Sequence, residues 1–382
     1  MSFATIIGAI LLLLALAGIG YGLLALAAIA RFRALSSPPA VPAEPVTILK
    51  PLHGPEPRLA ANLATFLDQD WSAPIELVAG VKRATDPAIG VATGLRQSAE
   101  RTVRPVIDPT EHGANAKVGN LTNMMAAASH DLIVLSDSDM NVPRDYLAQV
   151  AATLGQPGVG AVTCLYRGRG DAGFWSTLGA AGISYHFLPN VVVGLMLGRG
   201  SPCMGSTIAL RRSTLDAIGG FPAFADILAD DHAIGAAVRA RGEEVAVVPL
   251  LITHGSAESS LAALLAHELR WAATVRQIVS VPEYLGTIVT YPVPLALLGL
   301  AFVPSAGLVA LVGAIAVRVA LWRRIDGWSG EKSASLWLLP MRDTLSFVTF
   351  LGSLLVRSVD WRGQRLRMGV EGRVSAPAES SE

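Results

Sequence analysis

The chain is short of charge, short of cysteine and without any net sign. Only 16% of its 382 residues are charged while 52% are hydrophobic, against about 25% charged in an ordinary soluble domain. A wholly soluble protein is thereby excluded, and part of the chain has to lie in lipid. Thirty basic residues balance thirty acidic ones, so no global field recruits nucleic acid and every electrostatic argument must be local. Two cysteines, Cys164 and Cys203, cannot build a disulfide scaffold and lack the spacing of a zinc site, which fits a reducing compartment. No internal repeat or long low-complexity segment is present, apart from a tail after Gly372 rich in Ser, Ala and Glu that reads as disordered.

Long apolar runs, by contrast, are plentiful. Phe3 to Ala30 is uncharged throughout and exceeds the roughly 20 residues a spanning helix needs. It ends at Arg31 and Arg33. A cleaved signal peptide would carry its basic residues ahead of a shorter apolar run, so an anchor is expected, with Met1 outside and the chain after Arg31 in the cytosol. A second apolar block, Tyr284 to Trp322, is broken by Pro292, Pro294 and Pro304, and a third, Leu336 to Val356, has Pro340, Arg342 and Asp343 near its start. Arg323, Arg324 and Lys332 lie between these blocks, and Arg357, Arg362, Arg365 and Arg367 follow the last. The charge rule wants both places cytosolic, which three full spans cannot satisfy, so one proline-broken segment is expected to be re-entrant or interfacial.

Between these regions the texture changes. Residues 34–45 include four prolines from Pro38 to Pro45 and read as a stiff linker. Residues 46–282 alternate short β-branched runs with helical patterns, which predicts an α/β domain with a mostly parallel, Rossmann-like sheet flanked by helices. The expected strands are Val46 to Leu49, Ile75 to Val81, Val103 to Ile107 and Asp131 to Leu135, in the order βαβαβαβ. The domain ends in a juxtamembrane helix, and membrane segments over 283–357 and a basic, then disordered tail over 358–382 complete the expected plan. Ligands of such sheets bind beyond the carboxyl ends of the strands.

Carboxylates sit at those ends. Asp137 and Asp139 directly follow the run Leu132 to Leu135, and such a pair suits Mg²⁺ or Mn²⁺ held together with substrate phosphates. A polar turn with Asp139 capping the next helix is the plainer reading. Asp86 precedes Pro87, as a helix cap would, although a capping carboxylate can also face a ligand. Asp230 and Asp231 adjoin on an apolar stretch, where repulsion and burial would raise one pKa and make a base for an alcohol; a helix start accounts for them as well. Lys117, within Asn115 to Leu121, can meet phosphate at a helix start. Gly205 and Ser206 either approach a sugar or lipid headgroup closely or form a turn. His267 to Trp271 lies on a helical stretch, Leu261 to Ile278, whose Arg270 can neutralise a diphosphate and whose Trp271 can stack; an amphipathic juxtamembrane helix is the alternative.

The order and spacing of these groups, from Leu49-Lys50-Pro51-Leu52 through Asp86-Pro87, Asn115 to Leu121, Asp137-Ser138-Asp139 and Ala229-Asp230-Asp231 to Arg270-Trp271, resemble the ceramide glucosyltransferase family, glycosyltransferase family 21, including its bacterial hopanoid branch. The resemblance runs from about Val46 to Trp271 and extends to the plan of one N-terminal anchor and several C-terminal segments. It implies a GT-A-type fold and an inverting, UDP-sugar-dependent lipid glycosyltransferase in a bacterial inner membrane, multi-pass, with its catalytic domain cytosolic. Asp86 would then contact the uracil or ribose, Lys117 the nucleotide sugar, Asp137 and Asp139 the metal and diphosphate, and Arg270 and Trp271 the leaving UDP or the acceptor. Asp231 would be the general base, with Asp230, Gly205, Ser206 and His267 on the acceptor side. His267 stands where the family usually shows Gln or Arg, which weakens a role for that position and points to an outlying bacterial branch. Asp139 replaces the glycine of an Asp-Ser-Gly pattern in eukaryotic members and implies firmer metal dependence.

A hopanoid polyol receiving N-acetylglucosamine is the favoured pairing, and ceramide receiving glucose or glucuronic acid is the alternative. A processive polysaccharide synthase would want a Gln before Arg-Trp and more spanning helices. A transporter would place its ionisable residues inside the spans. A nucleotide-binding protein without turnover is the remaining rival.

Overall fold

The computed structural model describes residues 2–199 and 202–356, with the backbone alone of 358–361, 364–368 and 374–375. It divides into two compact units, one of Leu35–Arg167, Ser201–Ala257 and Gly372–Glu382, the other of Met1–Ala34, Gly168–Gly200 and Glu258–Glu371.

The first unit is built on an eight-stranded sheet of β1 (Val46–Pro51), β2 (Ile75–Val81), β3 (Arg101–Ile107), β4 (Leu132–Leu135), β5 (Met140–Asn141), β6 (Val159–Gly170), β7 (Ile208–Arg211) and β8 (Glu244–Ser256), in the order β3-β2-β1-β4-β7-β6-β8-β5. Strands β1, β2 and β4 are buried at every position, as expected for strands covered on both faces. Parallel pairing sets Val46 opposite Ile75 and also opposite Leu132, and joins β2 to β3. Because β1 lies between β2 and β4, the connections leave it in opposite directions and open a crevice at the carboxyl ends of these strands. Beyond β4 the pairs β4 with β7, β7 with β6 and β8 with β5 are antiparallel, so the sheet is mixed, with the parallel βαβαβαβ part intact.

Helix Ala116–Met124 seats tightly on β2. Asn120 Nδ2 donates to the Gly80 carbonyl at 2.8 Å, and a Cβ at Gly80 would fall 2.4 Å from Met124 Sδ, so only glycine admits this approach. Leu49, Val78, Leu121, Leu135, Ile208, Ile234 and Val238 close the core between the sheet and helices Ala116–Met124 and Asp230–Ala240. Each such side chain contributes about 1.5–3 kcal/mol on burial.

The second unit is helical. Phe3–Arg33, Phe174–Met196 and Pro304–Ser329 are each long and apolar enough to cross a membrane, and Val281–Thr290 with Pro292–Leu300 forms a pair bent by 70°. The bend falls at Tyr291-Pro292, within the proline-broken second block, where proline cannot continue the hydrogen-bond ladder. Two departures from the sequence reading have physical causes. Phe174–Met196, which the sequence reading keeps within residues 46–282, belongs to the helical unit, its apolar run interrupted by a π-helical turn at Ile183–Phe187. The third block yields a helix of only 15 residues, Leu339–Ser353, whose Arg342 and Asp343 turn inward to partners; among the described residues it is not a spanning candidate. Ser358–Trp361 and Gln364–Met368 pair as an antiparallel hairpin where the reading has a basic tail. Arg357, Arg362 and most of the segment after Gly372 lie outside the described residues.

Candidate active site

The carboxyl end of β4 leads straight into Ser136, Asp137, Ser138 and Asp139, and this turn is fixed from beneath by Lys50 at the end of β1. Lys50 is fully buried, donates to Ser136 Oγ at 3.0 Å and to the Asp137 carbonyl at 2.8 Å, and sits 3.3 Å over the Phe66 ring. Burial pushes its ammonium well below the ordinary lysine range, although Asp137, Asp139 and Glu56 oppose this. The carboxylates of Asp137 and Asp139 each keep about a third of their surface, 35%, open to solvent.

Lys117 joins the two acidic groups of this unit. Its Nζ lies 2.8 Å from Asp137 Oδ1 and 3.4 Å from Asp230 Oδ2. Burial works against its charge, yet the carboxylates of Asp137, Asp230 and Asp231 together hold the ammonium above its ordinary value. Asn115 places it there. The Asn115 side chain caps the helix by accepting from the N–H groups of Lys117 and Val118, while its Nδ2 donates to the Ile227 carbonyl at 2.7 Å, on the loop leading to Asp230. Those two helix-start amides are thus already satisfied by the Asn115 side chain.

Gly205 links Asp137 to Asp231. Its N–H donates to Asp231 Oδ2 at 3.0 Å, and its carbonyl accepts from the Asp137 N–H at 3.0 Å. A Cβ built on Gly205 would lie 2.7 Å from Asp137 Oδ2 and 2.8 Å from Lys117 Nζ, so a side chain there would intrude on the ion pair. Protein packs closely around the Asp231 carboxyl, and that burial, with the neighbouring Asp230 carboxylate, raises its pKa to about 6, against the opposing effects of Lys117 and the His232 and Gly205 amides.

The other expected residues fall differently. Asp139 caps no helix, since the next one is preceded by Asp145; its Oδ2 lies 3.3 Å from His254 Nε2. Asp86 does cap its helix, accepting from Ala88 N–H at 3.0 Å, and both its oxygens also accept from Gly54 N–H at 3.0 Å. Ser206 is buried, donates its hydroxyl to the Cys164 carbonyl at 3.0 Å and accepts from Ser136 at its own carbonyl, so it braces the β4 turn from within. His267, Arg270 and Trp271 belong to the helical unit, on the helix Leu261–Ile278. There His267 Nδ1 pairs with Glu258, and its ring meets Trp271 edge-on at 4.6 Å, one turn along.

Lys50, Tyr166 and His254 are not singled out by the sequence reading. His254 ends the largely apolar stretch Val245 to Ile252 of β8, opposite Met140, and its ring stacks on Tyr166 at 5.6 Å. It lies inside β8, so the strand-end rule that selects Asp137 does not reach it; its place is set by the long-range pairing with β5. Tyr166 has its hydroxyl pKa raised by burial and then by Asp231, Asp137 and Asp139, which sets it among the acidic groups.

A mixed α/β sheet with its acidic turn beyond the parallel strands is a glycosyltransferase fold of the GT-A type. The chain overlays a mannosyltransferase from Pyrobaculum calidifontis, in complex with GDP-Man and Mn²⁺, with a TM-score of 0.50 at 20% identity, over 91% of this chain and 99% of that one. It belongs to glycosyl transferase family 21, whose sequence profile matches residues 10–374. It is similar to ceramide glucosyltransferase 1 of Caenorhabditis elegans, 26% identical over 205 residues, which is 53% of this chain and 43% of the relative. It is also similar to the ceramide glucosyltransferase of Komagataella phaffii, 32% identical over 113 residues, 28% of this chain and 22% of the relative. The matched region spans less than half the length of these relatives.

Proposed function

We propose that this protein transfers a sugar from a UDP-sugar to the hydroxyl of a membrane lipid, inverting the anomeric carbon, with Asp231 as the general base. The observation that carries the reading is the Gly205 peptide, bonded at its N–H to Asp231 and at its carbonyl to the Asp137 amide, so that one rigid unit ties the base to the diphosphate end of the site. The acceptor oxygen attacks the anomeric carbon, its proton passes to Asp231, and the bond to the diphosphate breaks with its electron pair leaving on UDP. The raised pKa of Asp231 suits a base working near neutrality.

Among the described residues no three His, Cys, Asp or Glu side chains gather into a complete metal site, so the cation in this reading rests on two carboxylates and on the substrate's own phosphates. Asp137 and Asp139 offer partly open carboxylates at the strand end, His254 Nε2 stands beside Asp139, and the Lys117 ammonium occupies a cation's place against Asp137. We assign Mg²⁺ or Mn²⁺ to Asp137 and Asp139 together with the substrate's phosphate oxygens; such an ion would neutralise charge developing on the departing diphosphate. Lys117 supplies positive charge to the same region from the protein itself. Asp86 is assigned to the nucleoside end, Arg270 and Trp271 to the leaving UDP or the acceptor, and Asp230 and Gly205 to the acceptor side, with His267 alongside. The proposed organisation is an anchor over 1–33, a cytosolic catalytic domain within 46–282, and membrane segments over 283–357, in a bacterial inner membrane.

The preferred pairing is UDP-N-acetylglucosamine with a hopanoid polyol. Ceramide with glucose or glucuronic acid is a second reading, favoured by the similarity to ceramide glucosyltransferases. The test supplies purified protein in detergent with each UDP-sugar and each lipid, and identifies glycolipid by mass. One inverted product, abolished by chelation and restored by Mg²⁺ or Mn²⁺, is expected. No product from any pairing, with UDP still bound, would leave a binding protein without turnover.

Gly205→Ala gives a narrower check. Its methyl group would push against Asp137 and Lys117, and displacement of reacting groups on this scale lowers turnover by up to about a hundredfold. The loss should appear in initial rates of glycolipid formation, with the circular dichroism spectrum unchanged. Wild-type rates in the variant would remove Gly205 from the site.

A further inference from the structure

The helical unit carries a cavity that the proposed reaction does not use. Helices Phe3–Arg33 and Pro304–Ser329 pack in parallel. A Cβ on Gly313 would lie 3.2 Å from Ile19 Cδ1, and one on Gly22 would lie 2.8 Å from Val317 Cγ2. Further along, the Phe32 and Trp328 rings meet edge-on at 5.7 Å. The three contacts advance together along both helices, so the carboxyl ends of the helices reach the same level. Small residues permit this close packing in an apolar surrounding.

The basic residues that end the two apolar runs therefore converge. Arg33 from one helix, with Arg323 and Arg324 from the other, lines an open cavity of about 520 Å³ whose remaining walls are Leu26, Ala320 and Gly327. All three arginines are exposed, and among the described residues no carboxylate lies within ion-pair distance of any of them. A helix carboxyl end favours a cation in its last turn, which accounts for Arg33 but not for Arg323 and Arg324, more than a turn before the end of their helix. It does not account for three guanidinium groups facing a shared hollow, where they repel one another unless an anion lies between. Guanidinium presents paired N–H donors that match phosphate oxygens. Leu26 and Ala320 add apolar wall beside this charge, and Trp328 stands at the same level, as tryptophan does at a membrane–water boundary.

We infer that this cavity binds the phosphate of an anionic phospholipid from the surrounding leaflet, as a resident lipid and not as the acceptor. Basic pockets between membrane helices at the cytoplasmic face recognise such headgroups by this chemistry. The inference does not depend on the identity of the transferred sugar or of its acceptor.

The test uses the full chain in neutral detergent, titrated with dioleoylphosphatidylglycerol, dioleoylphosphatidylcholine or inorganic phosphate, and read by native mass spectrometry and by the unfolding temperature. Phosphatidylglycerol should be retained on the protein and raise the unfolding temperature, while phosphatidylcholine and inorganic phosphate do neither. Arg33→Gln, Arg323→Gln and Arg324→Gln should each weaken phosphatidylglycerol binding about fivefold, and together roughly a hundredfold. Arg31→Gln, an exposed arginine on the same helix outside the cavity, should bind as wild type. The single variants carry the test should the triple variant fail to fold. Equal binding of both phospholipids, a full effect from inorganic phosphate, undiminished binding by the triple variant, or an equal loss in Arg31→Gln would each overturn the inference.

Discussion

Asp231→Asn should lower the turnover number by about 10²- to 10⁴-fold while UDP binding persists. The carboxylate's two oxygens accept from the Gly205 and His232 amides, at 3.0 and 2.7 Å. Asparagine keeps one acceptor and turns an N–H₂ toward the other amide, at a cost of about 1–3 kcal/mol in stability. A modest fall in unfolding temperature is therefore expected beside the large loss of rate, and calorimetric UDP titration separates the two. Retained turnover would sink the assignment of the base.

The wild-type pH profile belongs to the same argument. Asp231 accepts a proton only when ionised, and burial with the Asp230 carboxylate raises its pKa from 3.8 to about 6. Hence kcat/KM should fall as pH drops through about 6, roughly tenfold per unit below it. Lys117 lowers this pKa, so Lys117→Met should move the acidic limb upward. A limb near 4 in the wild type would mean that the carboxylate is solvated and the geometry misread.

How much of this was legible in the sequence follows from the range of the interactions involved. Strands β1, β2 and β4 announce themselves as apolar runs because they are covered on both faces, and the strand-end rule points to Asp137 without further help. Helix Leu261–Ile278 is likewise readable from its local pattern. Gly205, by contrast, reads as a turn, since its meaning depends on Asp137 and Asp231, which are distant in sequence. Lys50 appears only as part of a short motif, because burial of a lysine beneath the acidic turn is a tertiary event. The antiparallel half of the sheet is also long-range: β7 pairs with β4 across the whole Val159–Met196 stretch, whose helices join the other unit. The inward turn of Arg342 and Asp343 was hidden for the same reason.

That last pair yields the second large effect, this time on stability. Arg342 is 1% exposed and grips Glu268 with two hydrogen bonds, of 2.6 and 2.8 Å, while also donating to the Leu178 carbonyl at 3.0 Å and to Ser346. Arg318 forms a second two-bond pair with Asp343, at 2.7 and 2.9 Å. Arg342→Met removes these donors and leaves the Glu268 carboxylate with the Thr349 hydroxyl, at 3.2 Å. Breaking a buried pair in this way costs about 3–5 kcal/mol. At about 1.2 °C per kcal/mol for a chain of this length, the unfolding temperature in detergent should fall by roughly 4–6 °C. Glu268→Leu added to Arg342→Met should recover most of that loss, because an apolar pair of similar volume carries no stranded charge. The double variant also separates stability from catalysis. Glu268 shares its helix with Arg270 and Trp271, so a restored unfolding temperature with activity still reduced would show that the ion pair positions that helix for the reaction. Recovery of both would reduce the pair to a brace, and an unchanged unfolding temperature in Arg342→Met alone would deny it even that role.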